Sequence, residues 1–246
     1  MSYKKIVCLS DQHIPYLDKK AHKVTLKLMN DIKPDEIILL GDLIDLWQIS
    51  KFIKDPAREM TLKDDCSQAK EYLTELRDTF PNAGFVYLFG NHEDRLRKYI
   101  WTYSPALSNF IYLEDELNLD NLKIQYYKSD TDIHREGILL FTHGTMVSQE
   151  SAMTARRMLQ KYGMSIIHGH SHRLGSHYKT RIEGTLGAWE NGCQCDRALA
   201  KEWRMGFPDW QTGFSMVSMK DKRFYVDNIY IHEGTILWGG KEYKAK

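Results

Sequence analysis

The sequence predicts an α/β protein with mixed strand pairing spread over two sheets, and three observations predict it. Short uninterrupted apolar runs, such as Ile6-Val7-Cys8-Leu9 and Ile37-Ile38-Leu39-Leu40, read as strands buried on both faces. In the first half these runs alternate with amphipathic helical stretches, whereas past residue 120 strands dominate and a single helix interrupts them. Apolar runs also lead into five polar motifs: Asp11-Gln12-His13, Gly41-Asp42-Leu43-Ile44-Asp45, Gly90-Asn91-His92-Glu93, His143-Gly144 and Gly169-His170-Ser171-His172. Carboxylates, an amide and imidazoles delivered from several strand ends converge on one sheet edge, where such folds bind ligands.

The elements follow in order. A strand over 4–9 precedes a helix over 18–32, which carries Ala21, Val24, Leu28 and Ile32 at helical spacing and stops before Pro34. A strand over 36–40 leads to a helix over 61–80, where Leu62, Cys66, Ala69, Leu73, Leu76 and Phe80 form a core-facing stripe. After a strand over 85–89, residues 95–117 read as largely helical and as a candidate cap insertion, rich in aromatics at Tyr99, Trp101, Tyr103, Phe110 and Tyr112. Core packing is the favoured role for most of these rings, with Trp47, just past Asp45, the best candidate to stack a nucleobase. Strands over 122–126, 138–142, 164–167, 175–182, 214–219 and 223–231 follow, with one helix over 151–162.

No Gly/Ser tract, repeat or long charge block divides the 246 residues, so the expectation is one domain over 1–246. Lys plus Arg total 34 against 33 for Asp plus Glu, which argues against a strongly basic nucleic-acid footprint. Local basic residues do follow two motifs: Arg95, Arg97 and Lys98 after one, Arg173, His177, Lys179 and Arg181 after another. No apolar stretch approaches a membrane span and the first nine residues are too short for a signal core, so a soluble, cytoplasmic chain is expected. Cys8 lies in an apolar strand, and Cys193 and Cys195 read as a structural thiol pair, since a lone CxC falls short of zinc-site spacing.

The motif chemistry points to metal. In an extended segment Asp11 and His13 share one side and can hold one ion, and His170 with His172 repeats the arrangement. Asp42 is the candidate bridging carboxylate, with Asn91 and His143 completing the shell of a second ion. Mixed nitrogen and oxygen donors suit manganese, iron or zinc better than calcium or magnesium. Two such ions clamp an in-line displacement and supply a metal-bound or bridging hydroxide as nucleophile, and a phosphoryl centre fits that arrangement. His92 is then available to serve the leaving oxygen, with Asp45 orienting its ring. His22 and the other unassigned histidines, including His168 at a strand end, default to packing.

The order of these motifs closely resembles that of the calcineurin-like metallophosphoesterase superfamily, whose pattern runs DxH, GDxxD, GNH[DE], H and GHxH across residues 11–172 here. The resemblance implies a four-layer α/β/β/α sandwich with two mixed sheets. It implies that Asp11, His13, Asp42 and His172 hold one divalent ion and Asp42, Asn91, His143 and His170 the other, with His92 and Asp45 catalytic. Manganese is the expected ion, with iron, zinc and nickel as alternatives. Leu46 and Phe89 stand where protein serine/threonine phosphatases carry arginines, which disfavours that branch. The segments 190–195 and 209–214 look like those of small phage and prophage members, a group loosely joined with DNA-repair exonucleases. The expected activity is therefore a phosphodiesterase on a nucleic acid or nucleotide, in a bacterial cell or phage-infected host. The alternatives are a phosphomonoesterase or nucleotide pyrophosphatase, and a noncatalytic protein-binding module on the same fold.

Overall fold

Alternation along the buried strands sorts their side chains into separate cores. In β1 (Lys4–Leu9), Val7 and Leu9 join a cluster under helices α1 (Lys19–Ile32) and α2 (Leu62–Thr79), while Ile6 and Cys8 face the opposite way. β2 (Glu36–Leu39) and β3 (Gly84–Leu88) divide likewise, with Ile37 and Phe85 on the helical side and Ile38 and Val86 on the other. What Ile6, Cys8, Ile38 and Val86 meet is the inner face of a second sheet, contributed by Leu139 and Phe141 of β6 (Leu139–Thr142) and Ile167 of β7 (Ser165–His168). The outer face of that sheet, with Leu140 and Ile166, packs on Ala155, Met158 and Leu159 of α5 (Met153–Tyr162). The result is the four-layer α/β/β/α sandwich with two mixed sheets. Strands clad on both faces need no polar alternation, which is why they read as continuous apolar runs.

The computed structural model describes residues 3–54, 56–197, 199 and 208–245. The six-stranded sheet runs β11-β10-β1-β2-β3-β4, adding β4 (Gln125–Tyr127), β10 (Gly213–Lys220) and β11 (Arg223–Tyr230). β1 to β4 are mutually parallel, and β10 returns antiparallel to β1. The five-stranded sheet runs β5-β6-β7-β9-β8, adding β5 (His134–Glu136), β8 (Leu174–Arg181) and β9 (Gly184–Asn191), with β6, β7 and β9 parallel. A hairpin of β12 (Thr235–Trp238) and β13 (Lys241–Lys244) packs near α1.

Two helix starts are fixed by their caps. Asp18 accepts from Lys20 and Ala21 N–H at 2.9 and 3.0 Å, and Thr61 with Asp64 forms a reciprocal capping box. Each such cap stabilises its helix by roughly 1 kcal/mol. Residues 93–117 hold α3 (Glu93–Tyr103), a 3₁₀ turn and the short α4 (Leu113–Glu116). The expectation that the aromatics here pack in the core is corrected. Leu96 and Ile100, spaced by four, take the core face and turn Trp101 outward, 59% exposed, while Tyr103 at the last position of α3 and Phe110 beyond it are 70% and 79% exposed.

Candidate metal centre

Every predicted site residue follows the C-terminal end of a parallel strand. Asp11 and His13 follow β1, Asp42 and Asp45 follow β2, Asn91 and His92 follow β3, His143 follows β6, and His170 and His172 follow β7. The parallel order places these ends along one edge of the sandwich, so residues far apart in sequence meet there.

The backbone reaches this geometry by a route the sequence reading did not anticipate. Asp11, His13, Asp42, His170 and His172 all have left-handed backbones, with φ between 47° and 68°, so neither the Asp-x-His nor the His-x-His pair is an extended segment. Asp and His tolerate this region better than most residues. Here ties between the loops hold it: Asp11 N–H donates to Gly41 O at 3.0 Å and His13 N–H to Asp42 O at 3.0 Å. The turns pass close to one another. A Cβ on Gly41 would lie 2.6 Å from Gly90 N and 2.7 Å from His143 Nδ1, and a Cβ on Gly90 would lie 2.2 Å from Asp42 Oδ1. Both positions therefore demand glycine.

Two groups of donors form, and they share Asp42. In the first, His172 Nε2 lies 3.0 Å from His13 Nε2 and 3.1 Å from Asp11 Oδ1, and Asp42 Oδ2 lies 3.9 Å from His13 Nε2. In the second, His143 Nε2 lies 3.1 Å from Asn91 Oδ1, 3.2 Å from His170 Nδ1 and 3.4 Å from the same Asp42 Oδ2. Donors on one ion at roughly 2.0–2.2 Å stand about 3 to 3.6 Å apart on an edge and up to about 4.4 Å apart across the ion, so these spacings fit within coordination polyhedra. The chemistry of the set agrees. Asp11 and Asp42 are buried, and their partners among the described residues are imidazoles and the N–H groups of His170 and His92. Burial holds the pKa values of His13 and His170 down at about 4, keeping both rings neutral and able to ligate. For His143, burial is outweighed by the carboxylate of Asp42, which lifts the ring to about 10.

His92 stands beside this pair. Its Nδ1 lies 2.8 Å from Asp45 O and 3.0 Å from Asp45 Oδ1, and its Nε2 lies 3.8 Å from Asp42 Oδ2. The predicted turn of Asp45 back onto His92 is present, and the same carboxylate oxygen also lies 3.6 Å from His13 Nδ1. Burial opposes a charge on His92, but Asp42 and Asp45 raise its pKa overall.

Two residues carry more of the site than their motifs announced. Glu93 accepts from the N–H groups of Gly90, Asp42, Leu43 and Ile44 at 2.6 to 3.2 Å and from the Tyr87 hydroxyl at 2.8 Å. One carboxylate thus fastens the Asp42 loop to the Asn91 loop. Four of its five donors are backbone groups, which leave no sequence signature. Arg95 donates from Nη1 to Asp45 O at 2.8 Å, and its Nη2 lies 3.2 Å from His92 Nε2. Its neighbours Arg97 and Lys98 are instead paired with Asp94. All four cysteines are free and buried, and the thiols of Cys193 and Cys195 lie together behind His172, packed with Leu199 and Trp210.

Residues 4–174 match the family model for calcineurin-like phosphoesterases. The chain belongs to that family. The chain is similar to the gene 54 proteins of two mycobacteriophages. It is 31% identical to that of phage D29, covering 88% of this chain and 89% of the relative, and 30% identical to that of phage L5, covering 98% and 99%. Among solved structures, vacuolar protein sorting 29 of Cryptosporidium parvum aligns over 99% of this chain and 100% of its own, with a TM-score of 0.50 at 12% identity. That likeness concerns the fold alone.

Proposed function

We propose that this protein is a phosphodiesterase with a dinuclear metal centre, acting on a nucleotide or nucleic acid. The observation that carries the reading is the position of Asp42 Oδ2, 3.4 Å from His143 Nε2 in one donor group and 3.9 Å from His13 Nε2 in the other. In this reading Asp11, His13, Asp42 and His172 hold one divalent ion and Asp42, Asn91, His143 and His170 the second, with manganese the expected metal. Such a pair supplies Lewis acidity toward a phosphoryl group and a water activated near neutral pH.

The chain's own residues do the rest. His92, anchored through Nδ1 on Asp45, presents Nε2 to the space beside Asp42, where it can pass a proton to a departing oxygen. Asp42 and Asp45 favour the ring form that carries that proton. Arg95, whose Nη2 lies 3.2 Å from the same Nε2, brings a guanidinium to where phosphoryl charge gathers. Glu93 positions the Asp42 and Asn91 loops without touching the reacting atoms. The whole of 1–246 is read as one domain. No helix among the described residues is long and apolar enough to cross a membrane. Together with the phage relatives, this supports a site of action in the cytoplasm of a bacterial cell or phage-infected host.

A scaffold without catalysis would have no need of seven intact donor side chains, so the catalytic reading is preferred. Its test is manganese-dependent hydrolysis of bis-p-nitrophenyl phosphate beside p-nitrophenyl phosphate, with Asp42→Asn as control. Turnover of the diester that exceeds that of the monoester and disappears in Asp42→Asn is the expected result. A monoester preference reassigns the chain as a phosphomonoesterase. Failure of both substrates with manganese, iron, zinc and nickel removes the catalytic reading.

A further inference from the structure

Four polar side chains face one another between the two sheets, at the end of the sandwich opposite the metal centre. Lys4 opens β1 and Glu36 opens β2, and alternation puts both on the inner face that Ile6 and Ile38 occupy two residues further on. Across the gap, His134 and Glu136 of β5 pair directly with Phe141 and Leu139 of β6, and so share the inner face of the second sheet with them. Lys4 Nζ lies 3.0 Å from Glu36 Oε2 and 2.9 Å from Glu136 Oε2, which places one ammonium between a carboxylate of each sheet. His134 completes the group. It is 7% exposed, its Nε2 makes no hydrogen bond among the described residues, and that nitrogen lies 3.6 Å from Glu136 Oε1.

We propose that Glu36, His134 and Glu136 form a zinc site separate from the catalytic centre, in which the ion takes the place of the Lys4 ammonium and ties the two sheets together. One donor atom from each of the three lies within 4.8 Å of the others. Donors around one ion stand about 3 to 4.4 Å apart, so small side-chain rotations close the set. An imidazole and two carboxylates leave a fourth tetrahedral position to water, and zinc binds such a set more tightly than manganese does. The far nitrogen of the ring is provided for: His134 Nδ1 lies 3.1 Å from the Tyr127 hydroxyl, which can accept from Nδ1–H and leave the Nε2 lone pair turned to the carboxylates. Burial also lowers the pKa of His134, which keeps the ring neutral at pH 7. The ammonium balances only one of the two carboxylates, whereas a divalent ion balances both. The Lys4 side chain is 37% exposed on a flexible stem, so it can turn out to solvent as the ion enters. The site is independent of the phosphodiesterase reading, since Lys4 and Glu36 stand at the starts of the strands whose far ends lead to the metal donors.

The test follows zinc added to the manganese-loaded protein. Anomalous scattering at the zinc edge should show an ion among Glu36, His134 and Glu136, with Lys4 turned outward. In equilibrium dialysis, Glu136→Gln and His134→Ala should each hold one zinc fewer per chain than the parent, and zinc should raise the Tm of the parent more than that of either variant. Zinc that exchanges into the Asp42 centre is common to parent and variants and cancels in the comparison. Lys4→Met, which removes the competing ammonium and no donor, should bind the zinc between the sheets about tenfold more tightly or better, because a like charge no longer opposes the ion. That gain cannot come from a variant that fails to fold. An ion-pair cluster with no affinity for metal gives the opposite results. Saturating zinc with no peak between the sheets, equal zinc content in the parent and both donor variants, or a Lys4→Met affinity no better than that of the parent each overturns the site.

Discussion

Replacing Glu93 with glutamine should cost this protein a large share of its stability, although the change is isosteric and touches no metal donor. One oxygen of Glu93 accepts from Gly90 N–H at 2.6 Å and Asp42 N–H at 3.0 Å, the other from Leu43 and Ile44 N–H at 2.7 and 3.2 Å. Whichever way the glutamine amide is turned, its NH2 faces two buried backbone donors that can no longer find an acceptor. A buried donor left unsatisfied costs about 1–3 kcal/mol, so the pair costs about 2–6 kcal/mol against the 5–15 kcal/mol typical of a domain. Tyr87→Phe, which removes a single donor and leaves the carboxylate its backbone partners, should cost roughly 1 kcal/mol. Urea denaturation followed by tryptophan fluorescence measures both. A Glu93→Gln unfolding free energy within 1 kcal/mol of the parent, at about the same m-value, would refute the argument that this carboxylate ties the two loops together.

Other outcomes follow from the same geometry. His92→Asn should retain its metal and lose roughly a hundredfold or more in kcat on a diester; unchanged kcat at equal metal content removes the role given to the ring. Asp65 is buried, and burial, aided by the charges of Asp45 and Asp64, pushes its pKa up to about 7. The unfolded chain releases that proton near pH 4, so stability falls as pH rises from about 4 to 7 and stays lower above. Asp65→Asn should therefore gain about 2–4 kcal/mol at pH 8 and almost nothing at pH 4, and equal effects at both pH values contradict the assignment. Asp42 lifts His143 to about 10 against burial when no cation is present, and Asp11 raises His172 in the same direction. Manganese binding at pH 7 should accordingly release protons and tighten as pH rises, seen as a dependence of the calorimetric enthalpy on the buffer. Independence from buffer would mean that those imidazoles were already neutral.

How much of this was legible in the sequence differs from element to element. Strands such as Ile37-Ile38-Leu39 were readable because helices cover one face and a second sheet the other, leaving no polar alternation to obscure them. β9 was missed because Gly184 and Gly187 interrupt its apolar signal and its pairing with β7 and β8 is long-range. The donors at the site were readable as residue types next to strand ends. Their backbone conformation was not, because the left-handed turns at Asp11, His13 and Asp42 depend on hydrogen bonds between loops distant in sequence. Trp47 could be picked out by its place after Asp45, but that its ring carries Lys54 and Arg58 depends on the path of the loop between β2 and α2.

The central claim is that Asp42 is shared by two ions, and anomalous diffraction from manganese-loaded crystals tests it most directly. Two peaks are predicted, one among Asp11, His13, Asp42 and His172 and one among Asp42, Asn91, His143 and His170, with the Asp42 carboxylate bound to both. A single peak at saturating manganese, or two peaks of which only one contacts Asp42, would contradict it.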